Sequence, residues 1–100
     1  MLIACRSAEE SRAIARHLVQ HQLAAGVQII PIESIYTWEG EVVENDEVLL
    51  ICKTRRDRFR EIESTVRGMH SYEVAPIYMI EMSEGSRPYL AWIDEATAGA

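Results

Sequence analysis

Two long apolar runs joined by a two-residue turn dominate the chain between Gly26 and Thr54. The first passes through Ile29, Ile30, Ile32, Ile35 and Tyr36 to Trp38; Glu39 and Gly40 follow; the second passes through Val42, Val43, Val48, Leu49, Leu50 and Ile51 to Lys53. Branched and aromatic side chains fill both arms and Pro31 interrupts any helical stripe, so the segment is predicted to be a hairpin of two strands. Strands in soluble domains run to about 5–6 residues, whereas these arms can reach about 12, further than helices of the same small domain can cover. In the first arm Ile29, Ile30 and Ile32 are apolar on both faces, which implies that both sides of the strand are dry. The far end of the hairpin is therefore expected to be an assembly surface.

One hundred residues predict a single domain, 1–100, with one modest core, since chains of this size bury only about 60–65 % of their unfolded surface. An apolar fraction of 48 % exceeds what so small a core needs, and the surplus again points to oligomerisation. The net charge of −6 argues against nucleic acid and anionic membranes as partners, because both require clustered Lys and Arg. Cys5 and Cys52 lie inside apolar runs with no signal peptide or membrane span before them, so reduced thiols and a cytoplasmic location are expected. No repeat, linker or low-complexity tract interrupts the chain.

In chain order, Leu2–Cys5 is a short buried strand. Ser7 with Glu10 forms a capping box that starts a helix. Ile14, Ala15, Leu18 and Val19 give that helix one apolar stripe, with Glu9, Arg12, Arg16 and Gln20 outward, and it ends near Gln22. After the hairpin, Thr54 to Asp57 resembles a second helix start, followed by a stripe of Phe59, Ile62, Val66 and Met69 ending at Gly68 to His70. Glu73 to Met82 reads as a fourth strand, with Pro76 favouring an edge or the strand's beginning. Ser86 caps a last short helix carrying Tyr89, Leu90, Trp92 and Ile93, and Ala98, Gly99 and Ala100 form a frayed tail.

The order β-α-β-β-α-β plus a terminal helix is the split βαβ arrangement of ferredoxin-like α+β domains. Right-handed crossovers place both main helices on one face of an antiparallel sheet. The other face then carries either Val48 and Leu50 or Leu49 and Ile51, according to register, and a partner must hide it.

Tyr36, Thr37, Trp38, Glu39 and Gly40, then Lys53 and Thr54, then His70, Ser71, Tyr72 and Glu73, and finally Gly85 with Tyr89, Leu90, Ala91 and Trp92, together resemble the CutA divalent-cation tolerance family over essentially the whole chain. The resemblance implies a ferredoxin-like subunit that forms a homotrimer through the long hairpin, related in architecture to PII signalling proteins, and linked to copper and other divalent metals without an established reaction. Family members commonly carry cysteine where this chain has Gly26. They also carry a proline after the histidine and a further carboxylate where this chain reads His70 to Ile77 as His-Ser-Tyr-Glu-Val-Ala-Pro-Ile. One soft ligand and one carboxylate are thus absent, leaving His70, Glu73 and Cys5 as the metal candidates for a weakly held Cu or Zn ion.

Each candidate also has a plainer role. His70 follows a helix end and can bond its terminal carbonyls. His17 and His21 share a helix side at the i, i+4 spacing, but Leu18 stands where a His-Glu-x-x-His motif needs glutamate, and a solvated flank is the reading taken here. Cys5 and Cys52 read as small buried hydrophobes. Tyr36, Trp38, Tyr72, Tyr89 and Trp92 are candidates for an interface or an aromatic pocket. No catalytic motif, phosphate loop or cofactor fingerprint is present, Arg6 lacks a glycine-rich anion cradle, and the aliphatic third strand lacks the exposed aromatics of an RNA-binding sheet. A non-enzymatic metal-binding trimer is the expectation, with a PII-like scaffold for a small-molecule or protein partner as the alternative.

Overall fold

A computed structural model describes residues 1–99. The elements are β1 (Leu2–Cys5), α1 (Ala8–Gln20), β2 (Gly26–Trp38), β3 (Glu41–Lys53), a 3-10 turn (Arg56–Arg58), α2 (Phe59–Arg67), β4 (Ile77–Tyr78) and α3 (Arg87–Ala96). β2 and β3 pair without interruption from Gly26 opposite Lys53 to Trp38 opposite Glu41. Both turn residues have positive φ, 51° at Glu39 and 80° at Gly40, the left-handed pair that matches the twist of a two-residue hairpin; Gly40 adopts it without strain.

The antiparallel sheet has the order β2-β3-β1-β4. Ile3 faces Leu50 and Cys5 faces Val48 across β1 and β3. Strand alternation puts these four and Cys52 on one side. Ile14 and Leu18 of α1 and Ile62 and Val66 of α2, all fully buried, join Ile3, Cys5, Leu50 and Cys52 in a single core. Both helices therefore cover the same sheet face, and each fully buried Ile or Leu contributes about 1.5–3 kcal/mol. This is the ferredoxin-like α+β architecture.

The register also decides which side chains line the open face: Leu49 and Ile51, with Ile30 opposite Leu49, rather than Val48 and Leu50. Along the hairpin the apolar surplus stays uncovered within one chain. Ile29 and Ile30 are each 41 % exposed, Ile35 is 70 % exposed and Val42 is 75 % exposed.

Four sequence expectations change. The fourth strand spans only Ile77–Tyr78, not Glu73 to Met82: the four-residue β1 is too short to partner so long a strand, only its Leu2 and Ile3 pair, and Pro76 accepts Ala4 N–H at 3.1 Å with no N–H to return. Thr54 does not cap α2; its hydroxyl donates to Leu23 O at 2.7 Å, and the chain enters α2 through the 3-10 turn. Val19 and Met69 fall outside the buried stripes. Ser86 precedes α3 without a side-chain cap bond, the entry being set by Pro88 in the first turn. At the end of α3, Thr97 is fully buried and its carbonyl accepts from both Arg55 and Arg58. Of the expected frayed tail, Ala98 and Gly99 form a turn, and Ala100 lies outside the described residues.

Candidate metal centre

Three short-range signals bring one cluster together. Cys5 is the last residue of β1, Ser7 accepts Glu10 N–H at 3.1 Å and starts α1 directly after it, and α2 closes with His70 N–H on Val66 O at 2.8 Å. One ligand atom each from Cys5, Glu10 and His70 lies within 4.8 Å of the others. Among the described residues no other three such groups converge. A zinc-sized ion with bonds of about 2.0–2.3 Å holds its donors roughly 3–4 Å apart, so a modest contraction suffices for coordination.

Each group is already engaged. The His70 ring meets Ala4 O through Nε2 at 2.6 Å and accepts Tyr72 N–H at Nδ1 at 3.1 Å, which assigns the proton to Nε2. Glu10 accepts Arg6 N–H at 3.1 Å through Oε2 and Ser71 N–H at 2.6 Å through Oε1. Burial pushes the Glu10 pKa up, but the hydrogen bonds from Ser71 and Arg6, with His70 nearby, outweigh it and leave a net lowering. Cys5 is fully buried; desolvation first, then Glu10, Cys52 and Glu47, push its thiol up to about 12. A coordinating cation would displace that proton, and the donor set it would meet is one thiolate, one imidazole and one carboxylate. Such a mixture fits Zn(II) or Cu(II) and lacks the multiple sulfurs that favour Cu(I).

Of the three sequence candidates, Cys5 and His70 come together with Glu10, whereas Glu73 is exposed and lies outside this group. Sequence reasoning missed Glu10 because the capping box gave it a complete role; its position five residues after Cys5, across the strand-to-helix turn, was the available signal. His70 does not cap α2 with its ring, which reaches to β1 instead. His17 and His21 stack at 4.0 Å, and His21 Nδ1 bonds His17 O at 2.9 Å, with no third donor in their group.

The aromatic candidates do not share a pocket within one chain. Trp38 ends β2 and Trp92 lies over Gly26 at its start, about 40 Å away at 3.3 Å per residue. Tyr36 accepts the Asn45 amide at 2.6 Å, and the Tyr89 ring lies tilted beside Trp92 at 5.6 Å. Tyr72 is the exception in reach of the centre: its ring is 4.9 Å from His70 and 5.5 Å from the Arg6 guanidinium, and its hydroxyl donates to the buried Glu47 at 2.7 Å. Gly26 is explained locally, since a Cβ there would come within 3.1 Å of the Trp92 indole.

Comparison with known proteins agrees with this architecture. The family described as CutA1 divalent ion tolerance protein matches residues 1–96. The divalent-cation tolerance protein CutA of Thermus thermophilus is 44 % identical over 98 residues, spanning 97 % of this chain and 95 % of its own. That of Archaeoglobus fulgidus is 41 % identical over 93 residues, spanning 93 % and 91 %. The solved Thermus thermophilus structure superposes with a TM-score of 0.93 at 44 % identity, covering 96 % of this chain and 94 % of that one. A structure of the Archaeoglobus fulgidus protein, described as periplasmic, does so with a TM-score of 0.93 at 40 % identity, again covering 96 % and 94 %. With a family match across nearly its whole length and relatives above 40 % identity, the chain belongs to the CutA1 divalent ion tolerance protein family.

Proposed function

We infer that the protein acts in divalent-cation tolerance by holding one Zn(II) or Cu(II) ion weakly at Cys5, Glu10 and His70, without catalysing a reaction. The convergence of these three donors carries the reading. The printed names of the relatives, divalent-cation tolerance proteins, support it. Glu73 serves no ligand role in this reading.

The working form is a homotrimer. Its apolar open face and the exposed Ile35, Val42 and Trp38 of the hairpin need a partner surface, and two further copies in a closed ring, each meeting the next through two different patches, supply one. The buried, unpaired Cys5 and Cys52 suit a reducing compartment, so we place the protein in the cytoplasm. No helix among the described residues is long and apolar enough to cross a membrane, and the net charge of −6 disfavours nucleic acid as a partner.

A second reading, a PII-like scaffold for a small-molecule or protein partner without a metal role, is favoured by one observation: both His70 nitrogens and both Glu10 oxygens already take part in internal hydrogen bonds. Calorimetric titration of untagged protein with Zn(II) and Cu(II) separates the two. The metal reading expects binding that His70→Ala and Glu10→Ala each weaken at least tenfold, that Glu73→Ala leaves intact, and that releases a proton as the Cys5 thiol ionises. Absence of binding in the parent protein selects the scaffold.

A further inference from the structure

The stretch from Gly68 to Pro76 joins α2 to β4 without regular structure, and side chains hold it in place. His70 Nε2–H donates to Ala4 O, His70 Nδ1 receives Tyr72 N–H, Glu10 Oε1 receives Ser71 N–H, and Tyr72 donates its hydroxyl proton to Glu47 Oε2. Arg6 adds its guanidinium over the Tyr72 ring. Two of the three candidate ligands are thus also the loop's anchors.

The two anchors respond differently to an ion. An imidazole nitrogen offers one lone pair or one hydrogen, and both His70 nitrogens are committed. Coordination through Nδ1 takes the lone pair that receives Tyr72 N–H, and coordination through Nε2 removes the hydrogen given to Ala4 O. With Nε2 on the ion the ring hydrogen sits on Nδ1, so that choice opens both loop bonds, whereas Nδ1 coordination opens only the one from Tyr72 N–H. Glu10 has spare lone pairs, so it can ligate an ion and keep Ser71 N–H.

We propose that a divalent cation and the anchored form of the 68–76 loop compete for His70, so that cation binding frees the Tyr72 segment. The inference rests on the Cys5, Glu10 and His70 reading above. It gives that site a readout: Cys5 lies on the helix-covered side of the sheet, whereas Glu47, two residues before Leu49, places the Tyr72 hydroxyl on the open side. The loop also leads directly into the edge strand Ile77–Tyr78. Occupancy on one side of the sheet is therefore reported on the side available to a partner.

Coupling of this kind is reciprocal, so loosening the loop strengthens cation binding by the same factor. Tyr72→Phe removes the bond to Glu47 without touching a ligand, and about a fivefold tighter zinc affinity is expected, the scale of one net hydrogen bond. The test is hydrogen exchange by mass spectrometry on the intact assembly with and without saturating Zn(II), together with zinc calorimetry of wild type and Tyr72→Phe. Zinc is expected to accelerate exchange several-fold in peptides covering residues 69–76 and to leave β1 and β3 unchanged. Zinc binding that depends on Cys5 and His70 but leaves the loop equally or better protected overturns the competition while the cation site stands. A Tyr72→Phe affinity equal to or below wild type does the same. If neither protein binds zinc, both the site and the competition are overturned; if Tyr72→Phe does not fold, the wild-type exchange experiment decides alone.

Discussion

Replacing Glu10 by glutamine isolates how far one carboxylate holds the Cys5, Glu10 and His70 cluster together in the absence of any ion. Glu10 accepts N–H groups from Arg6 and Ser71, joining the strand-to-helix turn to the 68–76 loop. Glutamine keeps one acceptor oxygen and turns an amide NH2 toward the other N–H, so one charge-assisted bond is lost and a donor faces a donor. A hydrogen bond to a charged group is worth about 1.5–3 kcal/mol, and solvent access at this half-buried side chain lowers the expected loss to about 1–2 kcal/mol. The pH dependence follows from the net lowering of the Glu10 pKa by Ser71, Arg6 and His70 against burial. A carboxyl group whose folded pKa is depressed stabilises the fold fully above its unfolded value, near 4.3, and loses that contribution as pH falls through the folded value. Urea unfolding of metal-free protein at fixed protomer concentration should therefore show the Glu10→Gln deficit at neutral pH and its narrowing below about pH 4. An equal deficit at both ends, or none at neutral pH, refutes the role assigned to the carboxylate.

Three further outcomes are expected. Trp38→Ala, at the hairpin end, should cost about 3–5 kcal/mol per site and dissociate the proposed trimer in light scattering; an assembled variant with unchanged melting removes Trp38 as an anchor. Burial pushes Cys5 up to about 12 and Cys52 up to about 11, so a disulfide reagent at mildly alkaline pH should label neither until the chain unfolds, and rapid labelling of the folded protein contradicts their burial. The double change His17→Ala, His21→Ala should leave zinc affinity within about twofold of wild type, and a larger loss moves the site to α1.

The hairpin, both main helices and the order of elements along the chain were legible because local patterns and global packing agree there: Ile14 and Leu18, or Ile62 and Val66, recur at the spacing that one sheet face buries. The fourth strand was overextended because period and composition do not reveal the partner's length; Ile80 and Met82 look strand-like but have no β1 residue beside them. Thr54 misled because a threonine before a helix serves equally well in bonding a distant carbonyl, here Leu23 O. In the candidate cluster, Cys5 and His70 had been singled out through the family resemblance. Glu10 was hidden by a sufficient local explanation, and Glu73 was preferred for its nearness to His70 in sequence. What joins Glu10 to His70 is a bond across 61 residues, Ser71 N–H to Oε1, and no local window contains it.

The central claim, one cation held by a thiolate, an imidazole and a carboxylate, is most directly tested by X-ray absorption at the zinc edge on the Zn(II)-loaded protein. The structure predicts one sulfur at about 2.3 Å with nitrogen and oxygen neighbours at about 2.0–2.2 Å, and loss of the sulfur in Cys5→Ser. A shell of nitrogen and oxygen alone in the wild-type protein would contradict it.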